Sequence, residues 1–263
     1  MTEELTYAVY QERQLAETQI AQLLHRSGSI HYGHKFRFHQ GQWQAESYPG
    51  YAVLAMLDQH PGHAALIEKL QDWQEAIIAS TALAHKLYPL PPASFHQTIA
   101  NMLSAEKYFQ HVVEAGLVEA FPTIVAKAMS EISPATEQEP IAMRLLGLSL
   151  FGSALGVLGV FEKEQDFQRI LDFRQQFYHH PDLQAIGIRR TRPFIGHITL
   201  LYFGADIQAV DGEKIAQVCA KINAQLQANP LYFNIQHAQL MQYPHLAEFN
   251  HSPHFPNHSF LSK

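Results

Sequence analysis

Two apolar segments, each with a histidine followed two residues later by a threonine, constrain the fold of this chain more than any other sequence feature. The pairs are His96 with Thr98 and His197 with Thr199, one in each half of the 263 residues. Residues i and i+2 of a β-strand project from the same face, so each segment would present an imidazole beside a hydroxyl. Each half also runs strand, helix and then histidine strand. The pattern predicts a two-lobed, pseudo-symmetric α+β fold with antiparallel sheets lining a central cleft and helices outside.

The spacing of apolar residues divides the chain into helices and strands. It predicts helices over residues 4–25, 62–85, 106–131, 163–180 and 212–228, and strands over residues 51–57, 95–103, 193–203 and 231–243. Residues 141–161 are typical of two strands joined by a hairpin turn, and residues 26–50 of irregular chain or a short hairpin. We therefore expect an N-terminal helix and irregular extension over 1–40, a single two-lobed domain over 41–249 and a loose C-terminal tail over 250–263.

Composition excludes several classes of protein. Hydrophobic residues make up 47% of the chain and charged residues 16%, which is typical of a globular protein. The net charge of −6 argues against bulk binding of nucleic acid but is compatible with a small phosphorylated substrate in a local basic pocket. The single cysteine, Cys219, forms no internal disulfide, and the longest apolar stretch, residues 145–161, carries four glycines. We expect a cytoplasmic protein without a membrane span.

The histidine–threonine pairs predict a particular chemistry if they face each other across the cleft. One imidazole can take a proton from an attacking oxygen while the other gives a proton to a leaving oxygen. The threonine hydroxyls can bond the remaining oxygens of a phosphorus centre and stabilise its charge. This chemistry requires neither a metal nor a cofactor, and we expect none. A strand histidine beside a threonine is also common as a plain structural feature; the occurrence of both pairs in matching apolar strands favours a site.

Both pairs, as His96-Gln97-Thr98 and His197-Ile198-Thr199, resemble the motifs of the two-histidine phosphoesterase superfamily, which includes LigT-like RNA 2′,3′-cyclic phosphodiesterases and RNA ligases. Residues 33–36, 48–50 and 90–95 are similar to an uncharacterised bacterial branch. Gln97 departs from the family pattern, because many members carry an apolar residue there.

The resemblance implies a metal-independent phosphodiesterase, a hydrolase of cyclic or 2′-linked phosphodiesters of nucleotides or RNA ends. Its catalytic residues would be His96, Thr98, His197 and Thr199, and its partner a small nucleotide or RNA end. Two alternatives stay open: a non-catalytic module that binds a nucleotide or phosphorylated ligand in the same cleft, and a partner-binding scaffold with a degenerate site. The oligomeric state and the role of the N-terminal helix also stay open.

Arginines and tyrosines near the motifs are candidates for substrate binding. Arg190 and Arg192, with Arg189, precede the second histidine strand and could supply local positive charge, although they also fit a solvated loop. Tyr202 follows Thr199 by three residues, so an unbroken strand would place it on the opposite face. Tyr88 precedes a proline-rich stretch. Either tyrosine could stack on a base only if a bulge or loop redirects it.

Other motifs favour structural interpretations. Three histidine pairs share a His-x-x-His spacing, but no further ligands accompany them, so surface histidines are expected rather than zinc. The pairs are His31/His34, His60/His63 and His251/His254. The glycines of residues 145–161 lack the order of a phosphate-binding loop and are interpreted as strand and turn features. No Gly-x-Ser-x-Gly nucleophile elbow is present.

Overall fold

Helices and antiparallel strands alternate along the chain in a computed structural model that describes residues 2–262. The helices are α1 (Tyr7–Ala16), α2 (Ile20–Ser27), α3 (Ala64–Thr81), α4 (Glu106–Tyr108), α5 (Phe121–Ser130), α6 (Glu164–His179), α7 (Pro181–Ala185) and α8 (Ala209–Ala228). The strands are β1 (Phe36–His39), β2 (Gln42–Ala45), β3 (Gly50–Met56), β4 (Leu87–Pro89), β5 (His96–Ser104), β6 (Ile141–Leu150), β7 (Ala154–Phe161), β8 (His197–Phe203), β9 (Tyr232–Ile235), β10 (His237–His245), β11 (Glu248–Asn250) and β12 (Asn257–Ser259).

Two five-stranded antiparallel sheets form the two lobes. The first has the order β11-β10-β3-β5, with β12 also paired to β10, and the second has the order β4-β8-β7-β6-β9. The histidine strands are β5 in the first sheet and β8 in the second, and they approach each other where the sheets meet. The predicted two-lobed α+β fold is confirmed.

The long helices cover the sheets with apolar faces. In α6 the buried aromatic and aliphatic residues Phe167, Ile170, Phe173 and Phe177 recur every three or four positions, which places them on one side of the helix. That side packs against β5 and β7, while α3 packs against α8 and β8. Each histidine strand is thus supported from behind by a helix, and its other face is left for the cleft.

The ends of the chain differ in detail from the prediction. The single helix expected over 4–25 is two helices, α1 and α2, and α1 packs against β7. The loose tail expected after residue 250 instead contributes β12, which pairs with β10, and Phe260, which is buried. Backbone pairing and burial of an aromatic ring hold this segment against the first lobe.

Residues 231–243, predicted as one strand, form two strands in different sheets. β9 pairs with β6 in the second lobe, and β10 pairs with β3 in the first. In the region predicted to be irregular or a hairpin, β1 and β2 form a hairpin whose turn residues Gln40 and Gly41 both have positive φ. That conformation suits a tight two-residue turn. Within residues 2–262, no helix is both long and apolar enough to cross a membrane.

Candidate active site

A β-bulge interrupts each histidine strand at the same place relative to its histidine. Leu54 pairs with Thr98 and Val53 with Ala100, so Ile99 is the extra residue in β5. Gly156 pairs with Thr199 and Leu155 with Leu201, so Leu200 is the extra residue in β8. A bulge reverses the alternation of side chains along the rest of the strand. Each strand therefore turns three side chains toward the cleft: the histidine, the threonine and the residue five positions after the histidine.

These side chains converge on one cleft of about 350 Å³ between the lobes. The first strand contributes His96, Thr98 and Asn101, and the second contributes His197, Thr199 and Tyr202. All six are partly exposed, whereas the intervening Gln97, Ile99, Ile198 and Leu200 are fully buried. The structure brings together the four residues that the sequence predicts to be catalytic.

Both imidazoles are fixed in the same way. His96 Nδ1 lies 2.7 Å from the carbonyl oxygen of Ser94, and His197 Nδ1 lies 3.1 Å from that of Ile195. A carbonyl only accepts, so Nδ1 of each neutral ring carries the proton and donates it. The other nitrogen, Nε2, then has a free lone pair. Each ring is oriented by the residue two positions before it, just ahead of the strand, and can accept a proton at Nε2.

Both histidines are neutral at pH 7 in the free protein. Burial lowers the pKa of His96 to about 4, because the charged ring loses hydration, and the Ser94 carbonyl only partly opposes this effect. Burial likewise lowers the pKa of His197 to about 4, with a further lowering from Arg192 and from His96. An anion between the rings would favour their charged forms and raise both pKa values.

The charged residues of the cleft are basic. Lys35 and Arg192 line it together with the two histidines, and no aspartate or glutamate is among the lining residues that the structure describes. Arg192 donates through Nη2 to Oδ1 of Asn101 at 3.0 Å, and Lys35 Nζ lies 3.3 Å from the centre of the Tyr48 ring. In a chain of net charge −6, this local excess of positive charge favours an anionic ligand.

A buried ion pair connects the loop that carries Arg192 to the first histidine strand. The guanidinium of Arg174, almost fully buried, pairs with Glu4 at 2.7 Å. Arg174 also donates to the carbonyl of the bulge residue Ile99 at 2.7 Å and to the carbonyl of Arg192 at 3.0 Å. Glu4 accepts a further bond from the Phe194 amide at 2.7 Å. The loop that carries Arg192 is thereby tied to β5 across the two lobes.

An aromatic ring lies edge-on to each histidine. The Phe249 ring centre is 4.6 Å from that of His96, and the Phe151 ring centre is 5.6 Å from that of His197, both in T-shaped geometry. Both phenylalanines line the cleft, and Phe151 is 37% exposed. They give the cleft apolar walls on either side of the histidines.

Two predicted substrate-binding residues lie in the cleft and two do not. Arg192 and Tyr202 line it, and Tyr202 does so because the bulge at Leu200 moves it to the histidine face. Arg190 instead bonds to the carbonyl of Thr2 at 2.6 Å and lies 3.4 Å from Glu4. Tyr88 stacks on Phe36 with ring centres 3.9 Å apart and is not among the residues lining the cleft. Arg190 and Tyr88 are thus held by neighbours outside the lining of the cleft, and their role in substrate binding stays a prediction.

Sequence reasoning missed several lining residues. They are Lys35, Tyr48, Asn101, Tyr243 and Phe249. Asn101 could have been found, because the adjacent apolar residues Ile99 and Ala100 break the alternation of β5 just as Leu200 and Leu201 break that of β8. Lys35 and Tyr48 lie within residues 33–36 and 48–50, so the resemblance of those segments to the bacterial branch was a signal for them. Tyr243 and Phe249 come from β10 and β11, and no local pattern connects them with the histidines.

Within residues 2–262, the His-x-x-His pairs belong to no group of three or more histidine, cysteine, aspartate or glutamate side chains that could hold a metal ion. His63 shows a structural use for one of them. Its Nδ1 lies 3.1 Å from the Leu57 carbonyl, and its Nε2 accepts from the Asn234 amide at 3.2 Å. The ring joins the end of β3 to β9 and is buried.

Comparison with known proteins identifies the fold. No family model matches the chain, and no curated protein matches it. A conserved protein of unknown function from Agrobacterium tumefaciens, ATU0111, is similar in structure with a TM-score of 0.61 at 16% identity, covering 87% of this chain and 91% of that one. This likeness shows a shared fold.

Two further solved structures are more distant. TT0787 of Thermus thermophilus has a TM-score of 0.40 at 14% identity, covering 83% of this chain and all of that one. E. coli LigT, solved with NADP+, has a TM-score of 0.41 at 13% identity, covering 82% and 99%.

Proposed function

We propose that this protein is a phosphodiesterase of the two-histidine type, acting on cyclic or 2′-linked phosphodiesters of nucleotides or RNA ends. The observation that carries the proposal is the matched pair of imidazoles. Each is held by a carbonyl at Nδ1, leaves Nε2 unprotonated and has a threonine hydroxyl beside it in one basic cleft. The motifs that resemble the superfamily support the same activity.

For a 2′,3′-cyclic phosphate the proposed reaction balances with one proton on the histidine pair. The neutral ring takes a proton at Nε2 from water as the water oxygen forms a new bond to phosphorus. The bond from phosphorus to one ribose oxygen breaks, and that oxygen takes the proton of the other ring. The product is a nucleoside monophosphate, and exchange with solvent restores the original protonation. Thr98 and Thr199 donate hydroxyl hydrogens to the non-bridging oxygens.

The low proton affinity of the free rings fits an anionic substrate. With a pKa of about 4, neither histidine holds a proton at pH 7 before substrate arrives. Lys35 and Arg192 would hold a phosphodiester monoanion in the cleft, and the negative charge of that anion would raise the pKa of the acid and so recruit the proton that the reaction needs. Substrate binding and formation of the general acid are thereby coupled.

The test is turnover of 2′,3′-cyclic nucleotides and short oligoribonucleotides, with and without a chelator. We expect turnover that resists the chelator and disappears in the variant carrying both His96→Ala and His197→Ala, which controls for contaminating nucleases. If no substrate is turned over while nucleotides still raise the melting temperature, the protein is a binding module and the enzymatic proposal is wrong. Turnover that the chelator abolishes would also contradict it.

A further inference from the structure

A buried glutamine joins the two histidine strands. Gln97 lies between His96 and Thr98 in β5 and points away from the cleft, with no exposed surface. Its Oε1 accepts from the backbone amide of His197 at 2.6 Å, and its Nε2 donates to the carbonyls of Thr98 at 2.8 Å and Ile195 at 3.0 Å. Ile198, the corresponding residue of β8, is apolar and cannot form such bonds.

Two other buried glutamines support the backbone of the second histidine strand. Gln14 of α1 donates to the carbonyls of Gly159 and Gly196, and Gln74 of α3 donates to those of Leu90 and Leu200. These bonds stabilise the strand but do not reach the carbonyl that orients His197. Gln97 differs because Ile195, which accepts its amide hydrogen, also accepts the Nδ1 hydrogen of His197.

Because the Ile195 carbonyl is shared with Gln97, the Nδ1 hydrogen bond of His197 is weaker than that of His96. The distance from Nδ1 to its carbonyl is 3.1 Å in His197 and 2.7 Å in His96. A hydrogen bond from Nδ1 stabilises the charged ring more than the neutral one, so the ring with the weaker bond is the harder to protonate. Arg192, whose charge opposes protonation of His197, acts in the same direction.

We propose that Gln97 is a positioning residue that assigns the roles of the two histidines, making His197 the general base and His96 the general acid. This assignment rests on the proposed function. The proton of the attacking oxygen passes to Nε2 of His197, and the proton on Nε2 of His96 passes to the leaving oxygen. Gln97 acts through the Ile195 carbonyl and does not touch the substrate.

The other titratable and charged groups of the cleft do not depend on Gln97. They are Lys35, Tyr48, His96, Arg192, Tyr202 and Tyr243. Replacing Gln97 leaves all of them in place, so a selective change at His197 would report on the two contacts of Gln97 to this segment, the Ile195 carbonyl and the His197 amide.

The first experiment is an NMR titration of the two rings, assigned with the single histidine variants. In the unaltered protein we expect His197 to titrate at a lower pH than His96. In Gln97→Met the Ile195 carbonyl bonds to His197 alone, and the His197 midpoint should rise by about 0.5–1 pH unit while that of His96 stays in place. Gln74→Met, which also loses two buried hydrogen bonds, one of them to this strand, is the matched control and should move neither midpoint.

Three results of the titration would overturn the proposal. They are a lower midpoint for His96 in the unaltered protein, equal shifts of both rings in Gln97→Met, and the same shift of His197 in Gln74→Met. The order of the midpoints needs no variant, so it tests the inference even if Gln97→Met fails to fold. None of these measurements requires turnover, so they stand whether or not the protein is a phosphodiesterase.

The second experiment tests the roles with a p-nitrophenyl phosphodiester of thymidine. Its leaving group departs without a proton, so the general acid is dispensable. We expect the loss of kcat caused by His96→Ala to shrink by about tenfold or more relative to a ribonucleotide substrate, and the loss caused by His197→Ala to persist. Rescue of His197→Ala instead would reverse the assignment, and absence of turnover of both this ester and the ribonucleotides in the unaltered protein would count against the proposed function alone.

Discussion

The two histidine strands β5 and β8 are alike on the face that lines the cleft and different on the face that packs behind it. Toward the cleft, each presents a histidine, a threonine and, after a bulge, a third side chain, and each histidine meets an aromatic edge. Behind it, β5 has the polar Gln97 where β8 has Ile198. The two strands are alike on the face where the proposed chemistry needs two imidazoles that carry protons. They differ on the buried face, which holds those imidazoles in position.

The supports of the two strands also come from different helices. In β5, Arg174 and Tyr178 of α6 donate to the carbonyls of the bulge residue Ile99 and of Asn101, two positions later. In β8 and just before it, Gln14 of α1 and Gln74 of α3 bind carbonyls. The two lobes therefore share the geometry of the side chains that line the cleft. They do not share the helix residues that hold the backbone of the histidine strands.

Removal of either histidine should give the largest effect and tests the likeness of the two cleft faces. For a ribonucleotide substrate, His96→Ala and His197→Ala should each lower kcat by about 100-fold or more, because each removes a group that transfers a proton in the transition state. Both rings are partly exposed, so the melting temperature should change little. The control is His254→Ala, an exposed histidine outside the cleft, which should keep kcat within about twofold. Near-full activity in either cleft variant would break the proposed equivalence.

Arg192 and Arg190 offer the next contrast, between a charge inside the cleft and a neighbouring charge outside it. Arg192→Gln should raise KM by about tenfold, because a charged contact to a phosphate oxygen contributes roughly 1.5–3 kcal/mol, reduced at an exposed site. Arg190→Gln should leave KM within about twofold and lower the melting temperature, since it breaks contacts to Thr2 and Glu4. Steady-state kinetics and thermal melts on both variants measure these changes in KM and melting temperature. Equal effects on KM would mean that the loop as a whole, and not the Arg192 guanidinium, binds substrate.

The sequence predicts the parts of this molecule that depend on local pattern. Alternation and helical spacing locate β3, β5, α6 and the hairpin of β6 and β7 to within a few residues. The two histidine–threonine pairs identify the strands that line the cleft. Each of these features is encoded within one stretch of chain, where the period of apolar residues is visible.

Long-range pairing and loop packing decide the rest. Residues 231–243 form one apolar run, yet the run is divided between two sheets because β6 and β3 offer separate edges to it. Alternation alone places Tyr202 on the face opposite His197, and the bulge at Leu200 supplies the redirection on which its predicted role depends. Lys35 and Phe249 enter the cleft from segments far along the chain, and only the folded structure brings them together.

The smallest predicted effect is the dependence of stability on pH, to which the cleft histidines and other buried histidines contribute. His96, His197 and His258 have a pKa lowered to about 4 by burial, and burial also lowers the pKa of His63. In the unfolded chain these rings would titrate near 6.5. Between pH 6.5 and about 4 the unfolded state therefore binds more protons than the folded one, so the free energy of unfolding rises with pH and falls on acidification.

The cleft share of this effect can be isolated with sulfate, whose charge is constant over the same range. Sulfate between the rings would favour their charged forms, so its dissociation constant should decrease as the pH falls from 7 to 5, and its addition should reverse part of the acid loss in melting temperature. In the variant carrying both His96→Ala and His197→Ala, acid should destabilise the protein less and sulfate should lose its pH dependence, because the protons that sulfate recruits bind to these two rings. His254→Ala should behave like the unaltered protein. If the double variant keeps the full pH dependence of sulfate binding, the anion is held elsewhere, and the two matched faces of the cleft do not act together on a phosphate.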